Sequence, residues 1–496
     1  MRTKGVVGVV AIVLSAVGLG SAGAEPRLID AAKRSDVAAV RALVQQGLDV
    51  NVRAGDGATA LHWAAYRGRA DLIQLLIESD AAVNVTNDLG VTPLWVAASV
   101  RGTATVEALL AAGAEPDLVP PTGETPLMIA ARMGNLEALT QLIAHGADIN
   151  AAEAARGQTA LMWATSQRQP QAAKLLIDAG AGVNDRTVAS KRFVQLCCSE
   201  YNGDVRGTAW VDHGGFTALL FAAREGSVES AEYLLAAGAN VNDSGADGST
   251  ALAVAALSGQ TAVAELLIEH GADLNAAGGG YAPLHATVLR GDLDLAASLL
   301  ARGADVNARL TRATQSRRSL NDYAFDRKLI GATPFMVAAR DGEAAFMRVF
   351  AAAGADTSMG LRDGAPPLAV AARGEQHFVT ARTGGVGEPS PRVLDQRALA
   401  AVKVVVDLGA DVNAADRSGN SAMHVAAERR FEGVIRFLAE QGAHVDVKNQ
   451  LGDTPLALAL RPLPPPPGSV VVAQGVERVD DGPRIAEVLR SLGAKQ

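Results

Sequence analysis

Cysteine is almost missing from this chain: two in 496 residues, Cys197 and Cys198, side by side. A disulfide framework is therefore excluded, and stability must come from packing. Aromatic residues are scarce at 4 %, although the apolar share is 49 %; small apolar residues, alanine foremost, have to build the core. No segment beyond residue 24 reaches the roughly 18 apolar residues that a membrane span needs. An excess of positive charge is missing too, the formal net charge being −8, which disfavours nonspecific nucleic-acid binding. The chain carries no G-x-S-x-G, no P-loop, no dinucleotide fingerprint and no H-E-x-x-H, and its eight histidines do not cluster at metal-ligand spacing. The glycine-rich stretch Arg382–Ser390 lacks the lysine and the strand-to-helix setting of a phosphate cradle. Nothing in the pattern asks for a catalytic centre, a cofactor or a metal, so a non-enzyme is expected.

The first 24 residues stand apart. A short basic start (Arg2, Lys4) precedes a continuous apolar run from Gly5 to Gly20, and Ala22 and Ala24 occupy the small-residue positions of a cleavage site. This reads as a secretory signal, residues 1–24, cut after Ala24, with an uncleaved anchor as the alternative. Cleavage removes Arg2 and Lys4 and takes the formal charge from −8 to −10. A periplasmic or secreted protein is expected, without membrane attachment after cleavage.

What the chain does have is rhythm. Thr59 recurs as Thr92, Thr125 and Thr159, at steps of 33, 33 and 34 residues, and later as Thr217, Thr250, Thr333 and Thr454, with Ser421 in one unit. A second marker, "GAD" or "GAN", falls at Gly146, Gly238, Gly271, Gly303, Gly354 and Gly409. Threonine suits the N-cap, and the proline beside it (Pro93, Pro126, Pro334, Pro455) suits the first helical position. "LHWAA" predicts a short first helix and "DLIQLLI" a second. Glycines such as Gly113, Gly146 and Gly180 suit the left-handed residue that ends a helix. One such unit cannot bury its own apolar face, whereas stacked neighbours can. Ten copies are counted, behind a degenerate opening unit.

"TALHWAA" from Thr59, "TPLMIAARMG" from Thr125 and "APLHATVLRG" from Ala282 resemble the T-P-L-H-x-A-A motif of the ankyrin repeat family. The resemblance covers nearly the whole chain after residue 24, with weakened caps at Ser421 and Ala365. It implies an all-α solenoid of paired antiparallel helices with β-turn or hairpin fingers. An N-terminal capping repeat over 26–54, repeats over 55–450 and a C-terminal capping repeat over 451–496 follow. Ligands of the family usually lie along the fingers and first helices, so a non-catalytic protein-binding scaffold or accessory factor is expected, as a monomer with a protein partner. A redox-sensitive factor or enzyme partner using the Cys197/Cys198 loop, and a secreted effector that binds a host protein, are the competing readings.

Glycine spacing locates four insertions. Gly180 to Gly238 spans 58 residues, Gly303 to Gly354 spans 51, Gly354 to Gly409 spans 55 and Gly442 to Gly493 spans 51, against the usual 33. The first two (near 187–213 and 311–330) fall where the family's fingers project; the third (near 374–395) and the proline-rich fourth fall between the two helices of a unit. The first finger carries Phe193, Tyr201 and Trp210, and the second Arg317, Arg318, Tyr323 and Phe325, residue types that anchor interfaces. Either they meet a partner or they pin the inserts to their own stack. Cys197 and Cys198 form a vicinal disulfide, remain thiols or pair with another chain. Arg132, Arg224, Arg340 and Arg373 share one position after the first helix's alanine pair, with Arg67, Arg290 and Arg429 one further on. That row is either salt-bridged and solvated or a groove for an acidic partner. His62, His285 and His424 hold the motif's histidine position, and His145 and His270 lie where a helix C-terminus favours a cation.

Overall fold

The computed structural model describes residues 25–100, 103–195, 208–313, 329–374, 390–462 and 481–495. The expected leader, the two cysteines, Tyr201, Arg317, Arg318, Tyr323 and Phe325 lie outside them. Among the described residues there are 24 helices and one two-stranded sheet. The helices form twelve pairs, one more than the opening unit and ten copies expected; Ala282 and Pro366 stand at the N-cap position of two units in place of threonine. Two compact units divide the chain. The first comprises Met1–Ser190 and Gly214–Ala246, and the second Lys191–His213 and Asp247–Gln496.

Each pair forms for the reasons its sequence gives. Thr125 Oγ1 accepts the Met128 N–H at 3.2 Å, Pro126 occupies the first helical position, and the helix Pro126–Met133 ends on Gly134 at φ 66°. The second helix, Leu136–Ala144, takes Asn135 as its cap through the Ala138 N–H at 3.2 Å. Its last turn is closed by His145, whose Nδ1 lies 2.8 Å from the Gln141 carbonyl, as His270 Nδ1 lies 2.9 Å from that of Leu266. The alanine pairs of the first helices (Ala64 and Ala65, Ala130 and Ala131, Ala222 and Ala223) are fully buried, which lets neighbouring helices come close. Leucines and isoleucines of the second helices, such as Leu72, Ile73 and Leu76, fill the space behind them.

Three sets of hydrogen bonds tie one repeat to the next. The asparagine of "VN" forms the first: Asn84 Nδ2 donates to the Gly113 carbonyl at 3.1 Å while its Oδ1 accepts the Glu115 N–H at 2.9 Å. Asn51, Asn184 and Asn413 make the same two-way bridge. Asp117 stands in one of these places and only accepts, both its oxygens lying 3.1 Å from the Asp148 N. Adjacent fingers supply the second set, as where the Asp88 N–H donates to the Asp56 carbonyl at 3.1 Å and the Gln450 N–H to that of Ser418 at 2.9 Å. The third set belongs to the histidine position and is described below.

The inserts behave differently from one another. The first is a hairpin, β1 (Ser190–Gln195) paired with β2 (Thr208–His213). The third, expected as a loop to residue 395, is helical from its end: Pro391–Asp407 is one helix of 17 residues, where a second helix here usually has 9. The extra turns carry Asp395, which accepts the Gly433 and Val434 N–H groups at 2.8 and 3.2 Å. Phe431, the local cap of the helix Glu432–Glu440, makes no side-chain cap bond, so that helix is capped from the preceding repeat.

Candidate functional site

The histidine position joins a first helix to the carbonyl just ahead of the next N-cap. The Thr59 N–H donates to His62 Nδ1 at 3.1 Å, and His62 Nε2 lies 2.9 Å from the Val91 carbonyl. A carbonyl only accepts, so Nε2 carries the proton and the ring is neutral. His285 repeats this between the Ala282 N–H and the Ala332 carbonyl, and His424 between Ser421 and Asp453. Burial pushes His62 and His285 down to about 4 and lowers His424 as well. These are structural histidines, and among the described residues no group of His, Cys, Asp and Glu could hold a metal. Trp95 fills the same position in another repeat, and its Nε1–H donates to the Glu124 carbonyl at 3.0 Å. A tryptophan there reads as an ordinary core aromatic, so the exchange shows only in the folded register.

The two enlarged fingers share one kind of base. In the first, the Thr187 N–H donates to the Phe216 carbonyl at 3.0 Å and the Gly215 N–H returns to the Thr187 carbonyl at 3.1 Å. In the second, the Leu310 N–H donates to the Ala332 carbonyl at 2.9 Å, with Gly331 returning to Leu310. One residue ahead of each pair sits an arginine. Arg186 Nη1 donates to the Gly215 carbonyl at 3.0 Å, and Arg309 Nη1 to the Gly331 carbonyl at 3.1 Å. Arg186 also ion-pairs with Asp243 and donates to the Ser244 carbonyl, so it stitches together the fingers on either side of the insert. Both have the same mark in the sequence, an arginine directly after the "VND" or "VNA" stretch.

Within the first hairpin, Phe193 is a β1 residue and Trp210 a β2 residue, the latter 66 % exposed. The expected anchors Tyr201, Arg317, Arg318, Tyr323 and Phe325, and the Cys197–Cys198 pair, fall outside the described residues. The arginine row is placed in full and proves uneven. Arg224 Nε donates to Glu225 at 2.8 Å, with the guanidinium carbon 4.9 Å from the Phe221 ring centre. Arg340 is only 4 % exposed and bonds Asp341 at 2.7 Å, a buried ion pair. Arg373 lies 3.5 Å from Asp363, and Arg290 donates to the Ser258 carbonyl at 3.0 Å. Arg132 lies 5.2 Å from the Trp163 ring centre, and its nearest carboxylate, Glu124, is 3.9 Å away. Lys33, not foreseen as part of the row, is 5.0 Å from the Trp63 ring centre.

Helix pairs stacked and tied repeat to repeat through their fingers define the class of helical-repeat solenoids. A model of three ankyrin repeats matches residues 28–119, 101–187, 240–309 and 394–462, and a single-repeat model matches 214–246. The chain belongs to the ankyrin repeat family, whose repeats serve as protein–protein interaction scaffolds. Protein PhlB of Serratia liquefaciens is 45 % identical over 60 residues, 12 % of this chain and 26 % of that protein. Protein fem-1 homolog A of Bos taurus is 39 % identical over 56 residues, 11 % of this chain and 9 % of that protein. The alignments thus span about a quarter or less of these curated relatives. The ankyrin repeat domain of human ASB11 aligns at 26 % identity and a TM-score of 0.40, covering 49 % of this chain and 96 % of that one.

Proposed function

We propose that the protein is a non-catalytic scaffold that binds a protein partner outside the cytoplasm, using its enlarged fingers. The observation that carries the reading is the first hairpin. Its base is closed by backbone bonds and by Arg186, and its second strand holds Trp210 at 66 % exposure. A large aromatic exposed to this degree is the residue type that anchors interfaces. The apolar run and small-residue site of residues 1–24 support action after export.

Two measurements test this. The mass of the protein recovered from the periplasm or medium should correspond to a chain starting at Glu25; recovery of the uncut chain from the cytosol alone sinks the export reading. Replacing 191–212 with a two-residue turn should leave the melting temperature within a few degrees, because the base bonds of Thr187, Gly215 and Phe216 remain. Cross-linking capture of the partner from the compartment that holds the protein should be lost in that variant. Undiminished capture places the binding surface elsewhere.

A further inference from the structure

Arg132 is the anomaly of the arginine row. Its side chain is 13 % exposed and stacks on Trp163, yet it makes no hydrogen bond to any described residue. Glu124, at 3.9 Å, lies beyond hydrogen-bond reach. Sequence explains the difference. Arg224 and Arg340 are each followed by the carboxylate that binds them, Glu225 and Asp341, whereas Arg132 is followed by Met133. A guanidinium taken largely out of water with only a long ion pair and a ring face beside it is incompletely compensated.

The neighbourhood is cationic as well. In the first unit the same face carries Lys33, seated on Trp63, and Arg67, 5.8 Å from the Tyr66 ring centre. Arg67 is exposed and has no acceptor among the described residues. Set against Asp30, which lies 3.8 Å from Lys33, and against Glu124 and Glu225, the cations Lys33, Arg67, Arg132 and Arg224 still leave this face positive by one charge on a chain of net charge −8. Such an island attracts an acidic segment while the rest of the surface repels it, which fixes where the segment lands.

We propose that Arg132, held on the face of Trp163, anchors a carboxylate side chain of an acidic partner segment, with Arg67 as a second contact two repeats away. This rests on the reading of the repeats as a protein-binding scaffold and names the chemistry of what they bind. Neighbouring helices stack about 8–10 Å apart, so the two arginines stand roughly 16–20 Å apart along the stack. An extended segment covers that distance in about five to six residues. The segment therefore carries acidic side chains at about that spacing. The pairing is of the fork-to-carboxylate kind, which a lysine reproduces only in charge.

The test uses the full chain and fluorescein-labelled twelve-residue peptides containing two Glu residues six apart, which an extended chain points to one side, in a Gly/Ser background, each with a Gln counterpart. Anisotropy should show the Glu peptide binding at least tenfold more tightly than the Gln peptide, with affinity falling as salt rises. Arg132→Met should lose about tenfold or more, and Arg132→Lys should lose part of that. Glu124→Gln, which removes the nearby competing charge without touching the anchor, should tighten binding several-fold. Arg41→Ala, a distant surface control, should change nothing. Equal binding of Glu and Gln peptides overturns the proposal, as does wild-type affinity in Arg132→Met with an unchanged melting curve. Tighter binding of a twelve-nucleotide single strand, lost in the same variants, also overturns it and assigns the face to nucleic acid. Partner capture lost on shortening the hairpin but intact in Arg132→Met sinks this proposal alone and leaves the scaffold reading standing.

Discussion

The indole of Trp95 and the imidazole of His62 make the same junction in successive repeats. Trp95 Nε1 donates to the Glu124 carbonyl at 3.0 Å, and His62 Nε2 to the Val91 carbonyl at 2.9 Å. Both carbonyls belong to the residue just before the next N-cap threonine. One donor can take up a proton in acid, with a pKa that burial lowers to about 4, and the other never does.

Acid should therefore loosen the stack at particular joints. His62 and His285 sit at about 4 in the folded protein against 6.5 when exposed, so the unfolded chain binds more protons between those values. Stability is complete above pH 6.5 and declines as pH falls towards 4, by roughly 3 kcal/mol for each of the two. Urea midpoints measured between pH 7.5 and 4 should fall through that window. The double variant His62→Gln, His285→Gln should start lower and slope less; an identical slope excludes these histidines as the cause.

At the Trp95 joint the expectation differs. Trp95→Phe keeps most of the apolar volume and leaves the Glu124 carbonyl without its donor, which should cost about 1–3 kcal/mol. Trp95→His should recover part of the loss at pH 7.5 and add a new pH dependence. Denaturant unfolding of the two variants at two pH values checks both statements.

Asp395 should hold the neighbouring helix closed from a distance. Burial raises its pKa, and the Gly433 and Val434 N–H groups it accepts oppose that rise. Asp395→Ala should cost about 1 kcal/mol and speed hydrogen exchange at the Gly433 and Val434 amides before it affects repeats of the other unit. Uniform acceleration throughout the chain contradicts a local capping role.

Asp117 offers the reverse experiment. Its carboxylate faces the Asp148 backbone and side chain, and burial with the Asp148 charge raises its pKa. Asp117→Asn restores the donor that Asn84 has in the equivalent place and removes a repulsion, so stability at pH 7.5 should rise by about 0.5 kcal/mol. Differential scanning calorimetry of the variant at pH 7.5 and 4 should show the gain shrinking in acid.

The threonine caps and the helix pairs were legible in the sequence because they depend on local chemistry repeated at fixed spacing. The partners of the arginines were legible only where the acid is the adjacent residue, as in Arg224–Glu225. Arg132 on Trp163 and Lys33 on Trp63 needed the register of one repeat against the next, which no single window of sequence contains. Asp395 escaped for a sharper reason: it sits in an insert whose length breaks the rhythm, and its two acceptor bonds reach 38 and 39 residues along the chain.

The arginine-fastened bases of the two long fingers have an engineering consequence. Among the described residues, each base closes on backbone groups and on one guanidinium, Arg186 or Arg309. Tip length is thereby decoupled from the register of the helices, since closing a longer loop on a fixed base adds only about 0.6 kcal/mol per doubling. These two points are natural grafting ports: a fluorescent domain, an epitope or a randomised loop spliced in there should report on or redirect binding while the helices below keep their order.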